Sequence, residues 1–201
     1  LTLGPVGAAL APEGAAVKTK DVFAGSFNLA VGREVLEPGE NAEVLAVFAD
    51  GKPAVTRHAY GKGWVYVVGF YSGLEYASDV MRDGYDMSGD FRDDKRSFIS
   101  APALLAGVKP VVDSSHPLIE GVLLKNPASG QHAGILMNWA YSSDRKPVAL
   151  GNVTVRMRGV GPTRKIRSTW LRKDIPFAQN GDDVVVALTT MEEGDILLVE
   201  K

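Results

Sequence analysis

The stretch Phe48–Phe70, with the sequence FADGKPAVTRHAYGKGWVYVVGF, places two glycine-containing turns between strand-like runs. Asp50-Gly51 is a strong hairpin signal, because glycine adopts a positive φ angle without a steric clash at Cβ. The preceding residues 42–49, AEVLAVFA, form a further apolar run. Three strand-like runs joined by two tight turns predict an antiparallel β-meander.

The second turn, Tyr60–Gly63 (YGKG), has the composition of a phosphate-binding loop as well as that of a hairpin corner. A phosphate loop requires its glycines between a strand and the N-terminus of a helix. Here the following residues, WVYVV, are strand-forming, and the GxxxxGK[ST] and GxGxxG spacings are absent. The context therefore predicts a hairpin corner, and we expect the neighbouring His58 to be structural or exposed rather than catalytic.

The polarity of the three runs predicts their positions in the sheet. The first and third runs are apolar, so we expect both of their faces to be covered. The middle run mixes Thr56, Arg57 and His58 with apolar residues, so we expect it to be the exposed edge. Such a sheet is typical of an α/β or α+β domain with helices on at least one side.

The most polar part of the chain, residues 72–98, contains six aspartates between Asp79 and Asp94. Their spacing does not match the calcium-binding loop of an EF-hand, so this acidic segment is predicted to be a solvated loop. The following residues 96–108 have a helical apolar pattern. Pro102 is expected to open a new turn there, and Gly107 is expected to cap the helix C-terminus.

From Pro110 onwards, short strand-like runs alternate with turns such as NPASG, GVGPT and NGDD. This spacing predicts an all-β sandwich. Within NVTVRMRG, Val153, Val155 and Met157 alternate with polar residues, which predicts a sheet with one solvated face. We therefore predict two domains, residues 1–109 and residues 110–201.

Composition limits the classes of function. The formal net charge of −2 argues against nucleic-acid binding, because phosphate neutralisation requires a concentrated basic face. No apolar run approaches the roughly 18 residues needed to cross a bilayer, so no membrane partner is expected. The compartment is left open between the cytoplasm and export. The first residues do not have the pattern of a signal peptide. Because the sequence starts at Leu1 rather than at an initiator Met, we expect a processed chain or a piece of a larger one.

No catalytic, metal or cofactor site is predicted. The sequence has no cysteine, which excludes disulfides, thiolate metal ligands and a cysteine nucleophile. No G-x-S-x-G nucleophile elbow occurs, and no two carboxylates, such as Glu75 and Glu120, have a reason to pair. The histidines are scattered without metal-ligand spacing, at His58, His116 and His132.

The three tryptophans support two interpretations. Trp64, Trp139 and Trp170 each lie in an apolar strand-like run, where packing in the core is the commoner role. Exposed aromatic rings on a β-sandwich can instead stack on sugar rings, so these three residues are also candidate carbohydrate contacts. The sequence leaves both interpretations open.

The meander also carries a family resemblance. Ala46–Ala54 follows the pattern A-x-F-x-D-G-x-P-A, and Tyr60–Gly63 and the apolar run Val65–Gly69 come next. This series resembles the end of the glutamine-amidotransferase-like domain of β-galactosidase-type glycoside hydrolases, which is also called their trimerisation domain. Residues 121–140 and 164–200 resemble the small C-terminal β-sandwich that follows it.

The resemblance implies an α/β (α+β) N-terminal part with a β-meander, followed by an immunoglobulin-like β-sandwich. In such enzymes the catalytic glutamates lie in a separate TIM barrel, and this chain resembles only the later half of the amidotransferase-like domain. The implied function is a non-catalytic accessory or assembly region of a larger carbohydrate-active enzyme. The implied partners are the remainder of the parent enzyme and further copies of the chain. The alternatives are a carbohydrate-binding module, with a saccharide as its partner, and an autonomous hydrolase that uses the acidic segment.

Overall fold

The computed structural model describes residues 15–16, 26–27, 29, 32–81 and 83–201. These residues form two compact units. The first contains the described residues up to Asp83 together with Arg92–Val108, and the second contains Gly84–Phe91 together with Lys109–Lys201. The predicted boundary between residues 109 and 110 stays a prediction.

The first unit contains two small antiparallel sheets and two helices. Its strands are β1 Ala15–Ala16, β2 Ser26–Phe27, β3 Glu43–Val47, β4 Pro53–Tyr60 and β5 Gly63–Val68. The helices of the described chain are α1 Ser72–Val80, α2 Met87–Asp90 and α3 Asp93–Leu105, of which α2 belongs to the second unit.

The predicted meander is confirmed, because β3, β4 and β5 form an antiparallel three-stranded sheet in that order. Gly51 and Gly61 have φ angles of 82° and 58° in the two turns. The prediction that the middle run is the edge is wrong. Strand β4 lies in the centre because both turns are tight, and β5 is an edge strand on which Val65 and Val67 are half exposed.

The core of the first unit is a cluster of phenylalanine rings. The ring centroids of Phe27 and Phe98 are 4.9 Å apart, and those of Phe27 and Phe70 are 5.0 Å apart. Phe48 contacts Phe70 edge-on at 6.4 Å. Such tilted and edge-to-face pairs are favourable arrangements for aromatic rings. The cluster joins the sheet to α3, because Phe98 lies on that helix.

The acidic segment is largely helical, so the prediction of a solvated loop is wrong. Lys95 of α3 is buried and forms an ion pair with Asp79 of α1, with Nζ and Oδ2 2.7 Å apart. Asp86 caps α2, because its Oδ1 accepts hydrogen bonds from the backbone N–H groups of Ser88 and Gly89. The pairing of Lys95 with Asp79 joins residues that are far apart in the sequence, and a local sequence pattern does not show such a contact.

Helix α3 starts earlier than the apolar pattern predicts, at Asp93, and Pro102 lies inside it rather than opening a new turn. The predicted cap is confirmed. Gly107 has a φ angle of 77°, its N–H donates to the carbonyl of Leu104, and Val108 N–H donates to the carbonyl of Ala103. These two bonds form a Schellman motif.

The second unit is a β-sandwich of two antiparallel sheets. Its strands are β6 Val112–Ser114, β7 Ile119–Lys125, β8 His132–Asn138, β9 Leu150–Met157, β10 Lys165–Ser168, β11 Lys173–Ile175, β12 Phe177–Asn180, β13 Asp183–Met191 and β14 Gly194–Glu200. One sheet has the order β11-β10-β14-β8-β7 and the other β12-β13-β9-β6.

The predicted alternation of β9 is confirmed, since Val153, Val155 and Met157 are buried while Thr154 and Arg156 are exposed. These buried residues belong to a core that also contains residues of the five-stranded sheet and packs against two residues of the segment 84–91. The core residues of that sheet include Leu136, Ile166 and Leu197, and the packed residues are Met87 and Phe91. The described chain is thus β-rich with few helices.

Candidate interaction surfaces

The Tyr60–Gly63 turn is a two-residue hairpin corner, as predicted. Tyr60 pairs with Gly63 across the antiparallel strands, and the residues after Gly63 continue as strand β5. Gly61 occupies the left-handed region that glycine tolerates best. Because no helix begins after this corner, its amides lack the helix N-terminus of a phosphate loop.

Trp64 lies on the edge strand β5 and is 54% exposed. The guanidinium carbon of Arg57 lies 4.5 Å from the centroid of its ring. Arg57 also forms an ion pair with Glu43, with Nη2 and Oε2 2.7 Å apart, and this hydrogen bond raises the pKa of Arg57. The interpretation of Trp64 as a core residue is wrong, because the tip of the hairpin extends past the phenylalanine cluster.

Trp139 and Trp170 are likewise about half exposed, so their interpretation as core residues is also wrong. Each lies just beyond the end of a strand, β8 and β10 respectively, where the apolar run continues but the sheet does not. The indole Nε1 of Trp139 donates to Glu120 Oε2 at 2.8 Å. The backbone N–H of Trp170 donates to Asp195 Oδ1 at 3.0 Å.

The three-stranded sheet has one exposed face with an apolar composition, which we call the meander face. Cross-strand pairing aligns Val44 with Thr56 and Thr56 with Val67, and it aligns His58 with Val65. Of these residues only Thr56 is buried. The prediction that both faces of β3 and β5 are covered is therefore wrong, because Val44, Val65 and Val67 are exposed.

The five-stranded sheet of the second unit also has an apolar outer face. Its exposed apolar residues are Val122, Leu124, Met137, Ile196 and Leu198. A cleft of about 560 Å³ lies at one end of this face, lined by residues of β7, β8, β14 and the β7–β8 hairpin. The apolar side chains of the outer face alternate with the buried residues of the same strands. The periodicity that predicts the core therefore also predicts which residues lie on the outer face.

The three histidines have different surroundings. His58 is exposed, with Nδ1 3.3 Å from the carbonyl oxygen of Asn41, and Nδ1 of His116 accepts a hydrogen bond from the N–H of Leu118. His132 is buried, and its Nδ1 has no hydrogen-bond partner. Burial, and then the positive charges of two lysines, lower the pKa of His132. Within the part of the chain that the structure describes, no three His, Cys, Asp or Glu residues are grouped as metal ligands.

A buried polar cluster joins α1 and α3. Lys95 Nζ contacts Asp79 Oδ2 and the carbonyl oxygen of Glu75, and it lies 5.6 Å from the centroid of the Phe27 ring. The Glu75 side chain is itself buried. The i, i+4 spacing of Glu75 and Asp79 on one helix face is the only sequence signal for this cluster. These acids are therefore engaged within the fold of the first unit.

The alternative of an autonomous hydrolase would use the acidic segment, and two further acids of that segment are also paired. Asp94 accepts two hydrogen bonds from the Arg92 guanidinium, and Asp93 forms an ion pair with Arg96 at 3.2 Å.

Among residues 32–81 and 83–201, no helix is long and apolar enough to cross a bilayer.

The meander lies in a part of the chain that matches a known protein family. Residues 10–87 match the family of the β-galactosidase trimerisation domain. No curated protein matches the sequence of the chain. The structure is similar to that of the α-L-fucosidase isoenzyme 2 from Paenibacillus thiaminolyticus, with a TM-score of 0.53 and 14% identity.

That similarity covers 87% of this chain and 26% of the fucosidase chain, so the chain spans about a quarter of the length of that enzyme. At this level of identity the likeness shows a shared fold. The family match adds a sequence relationship that includes the hairpin Pro53–Val68 in full. The resemblance drawn from Ala46–Gly69 is confirmed, because residues 10–87 match the β-galactosidase trimerisation domain family.

Proposed function

We propose that this chain is a non-catalytic accessory region of a larger glycoside hydrolase, and that it holds copies of that enzyme together. The observation that carries the proposal is the match of residues 10–87 to a family described as a trimerisation domain. The small share of the fucosidase chain that is covered supports a parent enzyme with further domains. Catalysis is assigned to those further domains, as in the β-galactosidase-type enzymes that the sequence resembles.

The domain arrangement belongs to the same proposal. We assign residues 1–109 to an amidotransferase-like α+β domain and residues 110–201 to a small sandwich with an immunoglobulin-like layout. The two separate hydrophobic cores support two domains, and the pair of packed antiparallel sheets supports a sandwich. A further copy of the chain and the remainder of the parent enzyme are its partners.

The test is the mass of the purified 201-residue chain in solution, measured by light scattering during size-exclusion chromatography. We expect a species of three times the 21.5 kDa chain mass at protein concentrations of about 10 μM and above. We also expect no hydrolysis of chromogenic galactosides or fucosides above the buffer rate. A chain that stays monomeric at every concentration, or that hydrolyses either substrate, overturns the proposal.

A carbohydrate-binding role is the second candidate, because Trp64, Trp139 and Trp170 are exposed rather than packed in the core. Exposed indole rings stack on sugars, and Trp139 has Glu120 beside it as a hydrogen-bond acceptor. Titration calorimetry with galactose- and fucose-containing oligosaccharides separates the candidates. Binding heat that disappears in Trp139→Ala or Trp170→Ala supports a binding module, and the absence of heat supports a purely accessory role.

A further inference from the structure

We propose that the meander face is the surface through which one copy of this chain packs against another. The face consists of Val44, Thr56, His58, Tyr60, Val65 and Val67. The inference rests on the proposed assembly function and deepens it by assigning the contact to particular residues.

The geometry of the face favours a flat contact. Val44, Thr56 and Val67 form one cross-strand row, and His58 and Val65 form the next. Because side chains alternate along a strand, these residues all project from the same side of the sheet. The opposite side carries Val55, which is fully buried against the phenylalanine cluster. On the side of the meander face, Ala54 and Thr56 near the start of β4 are also buried, so the exposed part of this face lies towards the β4–β5 turn and the paired Val44, Val65 and Val67.

The composition of the face is unusual for a solvated sheet. Val65 and Val67 are each 47% exposed, and the face as defined carries no Lys, Arg, Asp or Glu. The outer face of the four-stranded sheet provides an internal comparison. There Arg156 pairs in register with Asp113, and both are exposed. An apolar face without charges desolvates at low cost, which suits a protein contact.

A second copy is the occupant that the sequence relationship favours. All six residues lie within residues 10–87, the part of the chain that matches the trimerisation domain. A closed trimer has a heterologous interface, so each copy presents two different surfaces, of which the meander face is one. Strand β5 is an edge of its sheet, so the contact can approach from the side of Val65 and Val67 without displacing another strand.

The outer face of the five-stranded sheet is the competing apolar surface. It lies outside the matched residues, since Val122, Leu124 and Leu198 all belong to the second unit. This face therefore serves as the control surface in the experiment. A contact found there instead would overturn the inference.

The first experiment exploits the absence of cysteine from the sequence. A single Val65→Cys substitution in the full 201-residue chain is labelled with a benzophenone maleimide and illuminated. We expect cross-linked dimers and trimers on a denaturing gel, with mass spectrometry showing a junction between residue 65 and another chain. The matched control is Val122→Cys with the same label, for which we expect no cross-linking between chains.

The second experiment is the double substitution Val65→Lys with Val67→Lys, compared with Val122→Lys. Burying two ammonium groups at the contact should weaken trimer formation by about 100-fold or more, so that the double variant elutes as a monomer. Circular dichroism checks that the variant is folded. If it is unfolded, the cross-linking experiment decides.

The two proposals fail in different ways. If the unsubstituted 201-residue chain is monomeric, the assembly function itself is overturned. The meander face alone is overturned if the unsubstituted chain is trimeric, the lysine pair does not affect the trimer, and the label at residue 65 reacts only within its own chain. Cross-linking from residue 122 but not from residue 65 also overturns the meander face alone and assigns the contact to the five-stranded sheet.

Discussion

At the scale of single residues, Asp195 organises the end of β10. It is buried, and its carboxylate accepts hydrogen bonds from Ser168 Oγ, the N–H of Trp170 and Thr169 Oγ1. Asp195→Ala leaves these donors without an acceptor. We expect the free energy of unfolding to fall by about 2–3 kcal/mol, because a buried donor that loses its partner keeps its desolvation penalty. Urea unfolding followed by circular dichroism measures the change.

Asp174→Ala is the control for Asp195. Asp174 is exposed and forms long ion pairs, 3.7 Å each, with Lys165 and Arg167. Exposed pairs of this kind contribute little, so we expect a change below about 0.5 kcal/mol. Equal losses in the two variants would show that the buried hydrogen bonds around Asp195 are not what stabilises this corner.

Also at this scale, His132 makes the stability of the second unit depend on pH. Burial, with the charges of Lys201 and Lys125, lowers the pKa of His132 below its ordinary value of about 6.5. The unfolded chain therefore binds the proton more readily than the folded chain. We expect the free energy of unfolding to decrease as the pH falls through 6.5, and to stop decreasing because of this group below the lowered pKa.

The measurement for His132 is urea unfolding at several pH values between about 7.5 and 5.5, an interval that brackets the ordinary histidine pKa. His132→Gln, which has no titratable group, should show a smaller decrease over this interval than the parent chain. An NMR titration of the imidazole C–H signals of the parent chain gives the pKa directly. Parallel pH profiles for the parent and the variant would contradict the assignment.

At the scale of elements, alanine substitutions at Gly61 and Gly63 test separately what each glycine contributes to the β4–β5 hairpin. Gly61 has a φ angle of 58°, and an L-residue in this conformation is strained even though a Cβ atom added there would have no other atom within 4 Å. We expect Gly61→Ala to lower the free energy of unfolding by about 1 kcal/mol. Thermal and urea unfolding of the full chain provide the values.

Gly63 is the matched control in the same turn. It lies in strand β5 outside the left-handed region, and an added Cβ would meet only the carbonyl oxygen of Tyr60, at 3.9 Å. We expect Gly63→Ala to change the free energy of unfolding by less than about 0.5 kcal/mol. A larger loss for Gly63→Ala than for Gly61→Ala would contradict a hairpin in which only the first glycine is required.

At the scale of the whole molecule, the two cores predict two unfolding transitions. Phe98 is buried in the first unit and Ile166 in the second. Truncating either to alanine leaves a cavity and should cost about 3 kcal/mol in its own unit. We expect scanning calorimetry to show two transitions, with Phe98→Ala lowering the midpoint of one and Ile166→Ala lowering that of the other.

Tryptophan fluorescence assigns the transitions, because Trp64 lies in the first unit and Trp139 and Trp170 in the second. A single transition that both substitutions lower equally would show that the described chain unfolds as one cooperative unit. It would then contradict the division into two domains that we propose.

The features that could be predicted from sequence are those that depend on near neighbours along the chain. Asp50-Gly51 and Gly61 indicated both turns of the meander, since positive φ angles favour glycine wherever they occur. The alternation of Val153, Val155 and Met157 indicated the buried side of β9. The resemblance based on the same meander led to the family that the comparison confirmed.

The features that could not be predicted depend on contacts between distant residues. The burial of Lys95 depends on its ion pair with Asp79, which lies on a different helix, so the sequence did not show that charges of the acidic segment are paired inside the fold. The exposure of Trp139 depends on where β8 ends, not on the apolar run around it. The central position of β4 follows from the two consecutive hairpins, and the polarity of the middle run was misleading because Thr56 is buried in the sheet while His58 is exposed near the hairpin turn.

The sequence by itself therefore determined where this chain turns, which residues alternate along its strands and which family its meander resembles, because local stereochemistry and residue order carry that information. Only the tertiary structure decided which faces are covered. Whether a face is covered depends on which elements pack together. On the meander face, the packing of the first unit leaves Val44, Val65 and Val67 exposed.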